Sequence, residues 1–166
     1  MTQAPTKPSS GRAPSQRTAL GDAFSLLVVR IFQTNGYLLA AGDSLAAPAG
    51  QSSARWQVMA AIEESARSVA DIARLLGLAR QSVQRVADLL VEDGLAVYRD
   101  NPAHQRAKLL ELTPHGREQL ARIAEAQAVW ANDLAERLGE RHIANATAAL
   151  TALLGLLAPE VASEDS

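Results

Sequence analysis

Apolar residues recur every three or four positions along most of the chain, a spacing that places them on one face of an α-helix. The pattern predicts a long first helix over residues 18–45 and a second helix over 53–64. It then predicts a helix over 114–138 and a last helix that ends where Pro159 stops it. The predicted fold class is therefore mainly α.

The centre of the chain is organised as two shorter helices joined by a tight turn. Ser68 is placed to cap the first of them, with Asp71 three positions on in the acidic half of a capping-box pattern. This helix ends at Gly77, because the chain must reverse within three or four residues and glycine readily takes a positive φ. The second helix is predicted from Arg80 to Glu92.

Two strand-like segments follow, LAVYR after Gly94 and AKLLELT after the polar loop DNPAHQR. The loop is too long and too polar for a two-residue turn, so the segments predict a β-hairpin with an extended tip. Thr113 and Pro114 then start the next helix with a capping side chain and a proline. Two helices followed by a hairpin outline a winged helix-turn-helix, which indicates DNA reading before catalysis.

The second helix of this motif separates an apolar from a polar face. Its apolar face is predicted to pack inside through Val83, Val86, Leu89 and Leu90. Arginine pairs with guanine and glutamine with adenine in the major groove, and an arginine at a wing tip senses a narrow minor groove. The alternative is a solvated helix face and an ordinary loop arginine. The predicted DNA-binding residues are Arg80, Gln81, Ser82, Gln84 and Arg85 in the helix, and Arg99, Arg106 and Lys108 in the wing.

Charge narrows where DNA could bind. The formal net charge is −2, and residues 53–122 carry ten Arg/Lys against nine Asp/Glu, so any contact must come from a local patch. Asp88, Glu92 and Asp93 all fall in the C-terminal half of the proposed reading helix. Its N-terminal half is free of acid, and the helix dipole favours phosphate at that end.

Composition argues against several other classes of protein. Aromatic residues make up only 4% of the chain, so Ala, Leu and Val must do most of the packing. The absence of cysteine excludes disulfides and thiolate chemistry. His104, His115 and His142 match no metalloprotease spacing, and no nucleophile elbow or phosphate-binding loop is present. A metal site shared by His104 and His115 of different chains has no local support. We therefore expect no enzyme, cofactor or metal.

The apolar stretches near residues 26–32 and 148–158 are too short or too interrupted to span a bilayer. No export signal is evident, so we expect a cytoplasmic protein without a membrane partner. The predicted organisation starts with a disordered basic tail and ends with an acidic one. Its segments are 1–17 for the basic tail, 18–52 for an N-terminal dimerisation helix and linker, 53–113 for the winged lobe, 114–158 for C-terminal dimerisation helices and 159–166 for the acidic tail.

The central motifs resemble the DNA-binding lobe of MarR-family transcriptional regulators. The resemblance rests on the helix pattern RQSVQRVADLL, the EDGL that ends it, and the wing-to-helix junction LTPHG. It is close over residues 53–120 and looser over 18–158. It implies a homodimer that binds pseudo-palindromic double-stranded operator DNA, acts as a repressor, and releases DNA when a small aromatic effector binds.

Two positions depart from the family pattern. His104 stands two positions before Arg106, where the family commonly has an acid that holds the wing arginine, so wing geometry could depend on pH near the imidazole pKa. A solvated histidine is the simpler interpretation. Ala79 replaces the serine or threonine that commonly caps the reading helix, which typically costs about 1 kcal/mol.

Aromatic residues outside the central motif could line an effector pocket, although residues of this kind more often belong simply to the core. The candidates are Phe24, Phe32, Tyr37 and Trp56. The apolar surplus of the first and last helices predicts a dimer interface, with packing inside one subunit as the alternative. A winged-helix module that contacts proteins without specific DNA binding is the other function that the sequence allows.

Overall fold

A computed structural model describes residues 17–102 and 107–164 of the chain. Within these residues the chain forms six α-helices and three short β-strands. The helices are α1 (Ala19–Ala46), α2 (Ser53–Ala61), α3 (Val69–Leu76), α4 (Arg80–Glu92), α5 (Pro114–Leu138) and α6 (Glu140–Glu164). The strands are β1 (Arg67–Ser68), β2 (Ala96–Arg99) and β3 (Leu109–Leu112). The mainly α fold with a small β-hairpin wing is confirmed.

The chain divides into two compact units, and the division falls within α1, after Leu38. The described part of the first unit is residues 17–38, most of it the first part of α1. The second unit begins at Leu39 and contains every other helix and strand. All residues of the helix-turn-helix and its wing therefore belong to the second unit.

The ends of α3 confirm the capping predictions. The Ser68 hydroxyl accepts a hydrogen bond from the Asp71 backbone N–H at 3.2 Å and donates to Asp71 Oδ2 at 2.6 Å. The hydrogen bond from the Ser68 hydroxyl to the Asp71 carboxylate, together with an ion pair to Arg74, holds the pKa of the Asp71 carboxyl below its usual value. At the other end Gly77 has a φ of +64°, which lets the chain turn at once into α4.

The sheet is antiparallel, with the strand order β1-β3-β2. In the wing hairpin Ala96 faces Leu112 and Arg99 faces Leu109. The sequence analysis missed β1, since two residues carry no periodic signal. Arg67 pairs with Leu110, so β1 becomes a strand only because β3 lies beside it.

The core of the second unit lies where α2, α3 and α4 meet the sheet and the start of α5. Its largest fully buried side chains are Val58, Met59, Ile62, Ile72, Val83, Leu90, Leu110 and Ile123. Trp56 is half-buried and packs against this cluster. The core thus seats α4 from behind and leaves its opposite face outside.

Two side-chain and helix-end predictions within this unit were wrong. Leu89 is 40% exposed, and Ala87 takes the buried position instead, because the buried stripe advances 83, 87, 90 and residue 89 lies about 100° outside it. The second helix ends at Ala61, three residues before the predicted end. There the backbone N–H groups of Ile62 and Glu63 close a tighter final turn.

The prediction that Pro159 stops the last helix was also wrong. α6 continues to Glu164, so part of the segment predicted as an acidic tail is helical. A proline inside a helix removes one backbone hydrogen bond, and α6 continues despite that loss. The predicted domain segmentation itself stays a prediction.

α1 has the predicted length, and it contains an apolar stretch longer than residues 26–32. Residues 19–49 form a helical span of 31 residues that contains an 18-residue window with a mean hydropathy of 1.3, enough to cross a membrane by length and composition alone. This corrects the expectation that the apolar stretch near residues 26–32 is too short. A helix whose apolar face is covered by another protein subunit passes the same test, so the feature does not indicate a membrane by itself.

Candidate nucleic-acid interface

The N-terminal half of α4 presents a polar and cationic surface to solvent. Arg80, Gln81, Ser82 and Arg85 are exposed, as predicted, because Val83 and Ala87 hold the opposite face in the core. Ala79 occupies the N-cap position in an extended conformation without a side-chain hydrogen bond. The N-cap residue itself therefore offers no side chain that competes for an anion at this helix start.

Gln84 is engaged within the protein to a degree that the sequence did not suggest. Its Nε2 donates to Tyr98 OH at 2.7 Å and to Asp88 Oδ1 at 2.8 Å, and the Tyr98 hydroxyl donates to the same Asp88 oxygen at 2.8 Å. Asp88 lies one turn further along α4, whereas Tyr98 reaches across from β2. We call these three side chains the Gln84 triad.

Tyr98 is the neutral hydrogen-bond donor of this triad. Burial, followed by the hydrogen bond and negative charge of Asp88, raises the pKa of Tyr98 to about 12. The phenol therefore stays protonated throughout the pH range in which proteins normally work. No sequence motif pointed to Tyr98, because its role depends on strand β2 lying against α4.

The wing residues divide into paired and unpaired cations. Arg99 donates to Glu111 at 3.1 Å across the hairpin, so its charge is partly compensated. Lys108 is exposed and makes no ion pair with any described residue. His104 and Arg106 lie outside the described residues, so the prediction of a minor-groove arginine and the pH hypothesis for the wing stay predictions.

Two grooves border the exposed face of α4. One of about 500 Å³ runs along the outer face of the helix. The other, of about 410 Å³, lies between the helix and the wing. Residues common to both are Arg80 and Gln84, and the second groove adds Lys108 and Tyr98. Arg80 and Lys108 thus place positive charge on both sides of one cleft.

The predicted effector-pocket residues occur in different environments. Phe24, Phe32 and Tyr37 are 47%, 71% and 80% exposed on α1. Trp56 packs on the core of the second unit. The proposed pocket stays a prediction. Over residues 17–102 and 107–157, no three His, Cys, Asp or Glu side chains cluster in a way that could hold a metal ion.

Sequence comparison relates this chain to a family and to mycobacterial proteins. The MarR family profile matches residues 50–107. An uncharacterized protein of Mycobacterium tuberculosis is 42% identical over 117 residues, covering 70% of this chain and 82% of that protein. An uncharacterized protein of Mycobacterium bovis matches to the same extent.

Solved structures share the fold over most of the chain. The transcriptional repressor CouR, bound to a 23-mer DNA duplex, has a TM-score of 0.67 and 25% identity, covering 84% of this chain and 99% of its own. A mutant of MarR from E. coli, complexed with operator DNA, has a TM-score of 0.71 and 19% identity, covering 82% and 99%.

The helix pair, the wing and the exposed polar face of α4 define a winged helix-turn-helix protein of the DNA-binding class. Together with the family profile that matches residues 50–107, they assign the chain more narrowly. The chain belongs to the MarR family, whose members are DNA-binding transcription regulators.

Proposed function

We propose that this protein is a homodimeric repressor that binds a pseudo-palindromic DNA operator and releases it when a small aromatic ligand binds. The observation that carries the proposal is the pair of exposed arginines, Arg80 and Arg85, in the acid-free N-terminal half of α4. Neither forms an ion pair with a described residue, so both are available to base edges or phosphates.

The proposed DNA contacts extend from this pair to its neighbours on the helix and wing. Gln81, Ser82 and Gln84 would face base edges, whereas Arg99 and Lys108 at the hairpin would contact the sugar-phosphate backbone. Arg106 would enter the minor groove from the wing tip. The CouR structure, which contains DNA, supports the repressor role by likeness.

Dimerisation is supported by apolar faces that one subunit leaves exposed. On α6 these residues follow helical spacing over Ile143, Leu150, Leu154 and Leu157. α1 exposes a comparable set, including Leu20, Phe24, Leu27, Phe32 and Leu38. Soluble monomers rarely leave such surfaces uncovered, so a second copy is the proposed cover. A two-fold dimer would present its two α4 helices to successive major grooves, about 34–36 Å apart.

Release by an effector follows if the ligand binds more tightly to a dimer whose reading helices have the wrong separation. The exposed aromatic residues Phe24, Phe32 and Tyr37, together with Trp56, are the proposed contacts. A cytoplasmic location is part of the same proposal, since operator DNA and its regulator share one compartment. The proposal also assigns the protein no catalytic activity.

The proposal is tested by fluorescence anisotropy of the protein against DNA tiles from upstream of its own gene, with a shuffled duplex of equal composition as control. We expect one tile to bind far more tightly than the control. The logarithm of affinity should fall with the logarithm of salt with a slope of about −0.9 per phosphate neutralised. Equal binding of all tiles, followed by no enrichment from a randomised duplex library, would overturn specific DNA binding.

A further inference from the structure

The geometry of the Gln84 triad points to a specificity rule: Gln84 reads its base pair through its carbonyl oxygen alone. Gln84 therefore selects adenine or cytosine on the strand that it faces, because these bases present an exocyclic amine in the major groove. The inference rests on the proposed function, since it takes α4 to be the helix in that groove. It adds which chemical group of Gln84 is available to DNA.

The orientation of the amide follows from the chemistry of its partners. An ionised carboxylate can only accept hydrogen bonds, so the amide group 2.8 Å from Asp88 Oδ1 must be the NH₂ group. The Tyr98 hydroxyl donates its hydrogen bond to the same carboxylate, and the hydroxyl oxygen can then accept a hydrogen bond from Gln84. The three distances close a triangle in which the NH₂ group faces both oxygens, about 60° apart as seen from Nε2, so we infer one bent hydrogen bond from each N–H.

Both donors of Gln84 are therefore used inside the protein, which leaves Oε1 without a hydrogen bond to any described residue. Gln84 borders both grooves beside α4, where a base edge could approach this oxygen. The usual bidentate pairing of glutamine with adenine needs an amide N–H on adenine N7 as well. Here that N–H would first have to leave Asp88 or Tyr98.

A lone carbonyl oxygen distinguishes bases in a simple way. Adenine N6 and cytosine N4 donate to it, whereas guanine O6 and thymine O4 are acceptors and leave it unpaired. The rule also accounts for an acidic side chain on a helix that approaches phosphates. Asp88 orients Gln84, and two hydrogen-bond donors, Gln84 and Tyr98, partly compensate the negative charge of Asp88.

The first experiment locates the base pair that Gln84 reads. Operators are selected from a randomised duplex library by the wild type and by Gln84→Ala, and the position that loses its preference in the variant is assigned to Gln84. We expect the wild type to prefer adenine or cytosine at that position. Gln81→Ala serves as the comparator, since it should relax a different position.

Base analogues then show whether Gln84 makes one contact, from its carbonyl oxygen to the base amine, or a second contact from its N–H to adenine N7. Where the base is adenine, removing its amine with unsubstituted purine should weaken binding about fivefold, and 7-deazaadenine should bind as adenine does. Where the base is cytosine, 2-pyrimidinone should show the same fivefold loss. A guanine or thymine preference, or an equal loss with 7-deazaadenine, would overturn the inference.

A variant tests whether the triad sets the rule. In the double variant Tyr98→Phe/Asp88→Asn, the Gln84 amide can turn, so discrimination between amine and keto bases should fall about fivefold. The variant also loses one negative charge, so its affinity for all duplexes should rise. Asp133→Asn, an exposed site on α5, controls for the charge change. If this double variant is less stable to heat but still discriminates between amine and keto bases as the wild type does, the triad has only a structural role and the inference is overturned. Wild-type protein that binds all duplexes equally would instead defeat the proposed function.

Discussion

The three acidic side chains in and just after the C-terminal half of α4 differ in their interaction partners. Asp88 is held in the Gln84 triad, and Asp93 forms an ion pair with the half-buried Arg55 at 2.5 Å. Glu92 stays exposed at the far end of the groove along α4. The net charge of the helix therefore understates the positive potential at its N-terminal half, where Arg80 and Arg85 lie.

Removing those two arginines should weaken operator binding strongly. Each bidentate contact between arginine and guanine is worth about 1–3 kcal/mol, so Arg80→Ala and Arg85→Ala should each reduce affinity by roughly 5- to 150-fold. The measurement is anisotropy on the selected operator and on a shuffled duplex, with Arg122→Ala on α5 as the control. Losses equal to that of the control would contradict the assignment of this helix face.

Tyr98 provides a test that depends on pH. Its pKa of about 12 exceeds the usual 10, mainly because the phenol is buried, so the protonated form contributes stability that is full below pH 10 and is lost as the pH rises through about 12. The chain has two tyrosines, and Tyr37→Phe therefore leaves Tyr98 as the reporter of tyrosinate absorbance. We expect a midpoint near 12.

Asp88→Asn should lower that midpoint while leaving it above 10, because burial, the larger cause of the shift, remains. Asp133→Asn should leave it in place. If the folded protein titrated at the ordinary tyrosine value, the Gln84 triad would not form in solution.

Among the elements, the junction between the wing and α5 is tightly constrained. The Thr113 hydroxyl accepts from the Gly116 N–H at 3.0 Å and donates to the Gly94 carbonyl at 2.7 Å. A Cβ on Gly116 would lie 2.0 Å from the Leu95 carbonyl oxygen. The glycine of LTPHG is therefore required by the close approach of two backbones.

Gly116→Ala should destabilise the protein by about 3 kcal/mol or more, since backbone atoms would have to move. Thermal and denaturant unfolding measure this directly. Gly155→Ala is the matched control: its Cβ meets nothing within 4 Å, and alanine is the better helix former. A Gly116→Ala protein as stable as wild type would show that the junction is looser than described.

Elements with strong local signals were predicted closely. α4 begins and ends where the sequence placed it, because Gly77 closes the turn before it and Gly94 takes a positive φ after it. β1 was missed and α6 was ended too early, since a two-residue strand depends on its neighbour and a single proline does not always stop a long helix. Local chemistry thus sets most boundaries.

At the scale of the whole molecule, the proposed dimer is the main consequence of the exposed apolar faces. Leu150→Glu/Leu154→Glu places two charges on the apolar face of α6, where Leu154 is 67% exposed. The variant should be monomeric by light scattering at concentrations where the wild type is a dimer, and it should lose operator affinity. The folded subunit should keep its helical circular dichroism because both positions lie outside its core.

Ala148→Glu/Ala152→Glu adds the same two charges to exposed positions on the opposite side of α6 and should leave the dimer unchanged. Should the Leu150/Leu154 variant remain dimeric, the dimer interface would lie elsewhere. Persistent association of the wild type with detergent or vesicles would instead indicate that the apolar span of α1 contacts lipid.

The sequence by itself determined the helix periods, the caps at Ser68 and Thr113, the turn at Gly77 and the polar face of α4, since each of these arises from neighbours within a few residues. Only the tertiary structure decided that Gln84 turns its nitrogen inward, that Arg99 is paired and that Leu89 is outside. The outcomes for Gln84 and Arg99 depend on β2 lying against α4 and pairing with β3, and contacts between residues far apart in sequence leave no periodic signal.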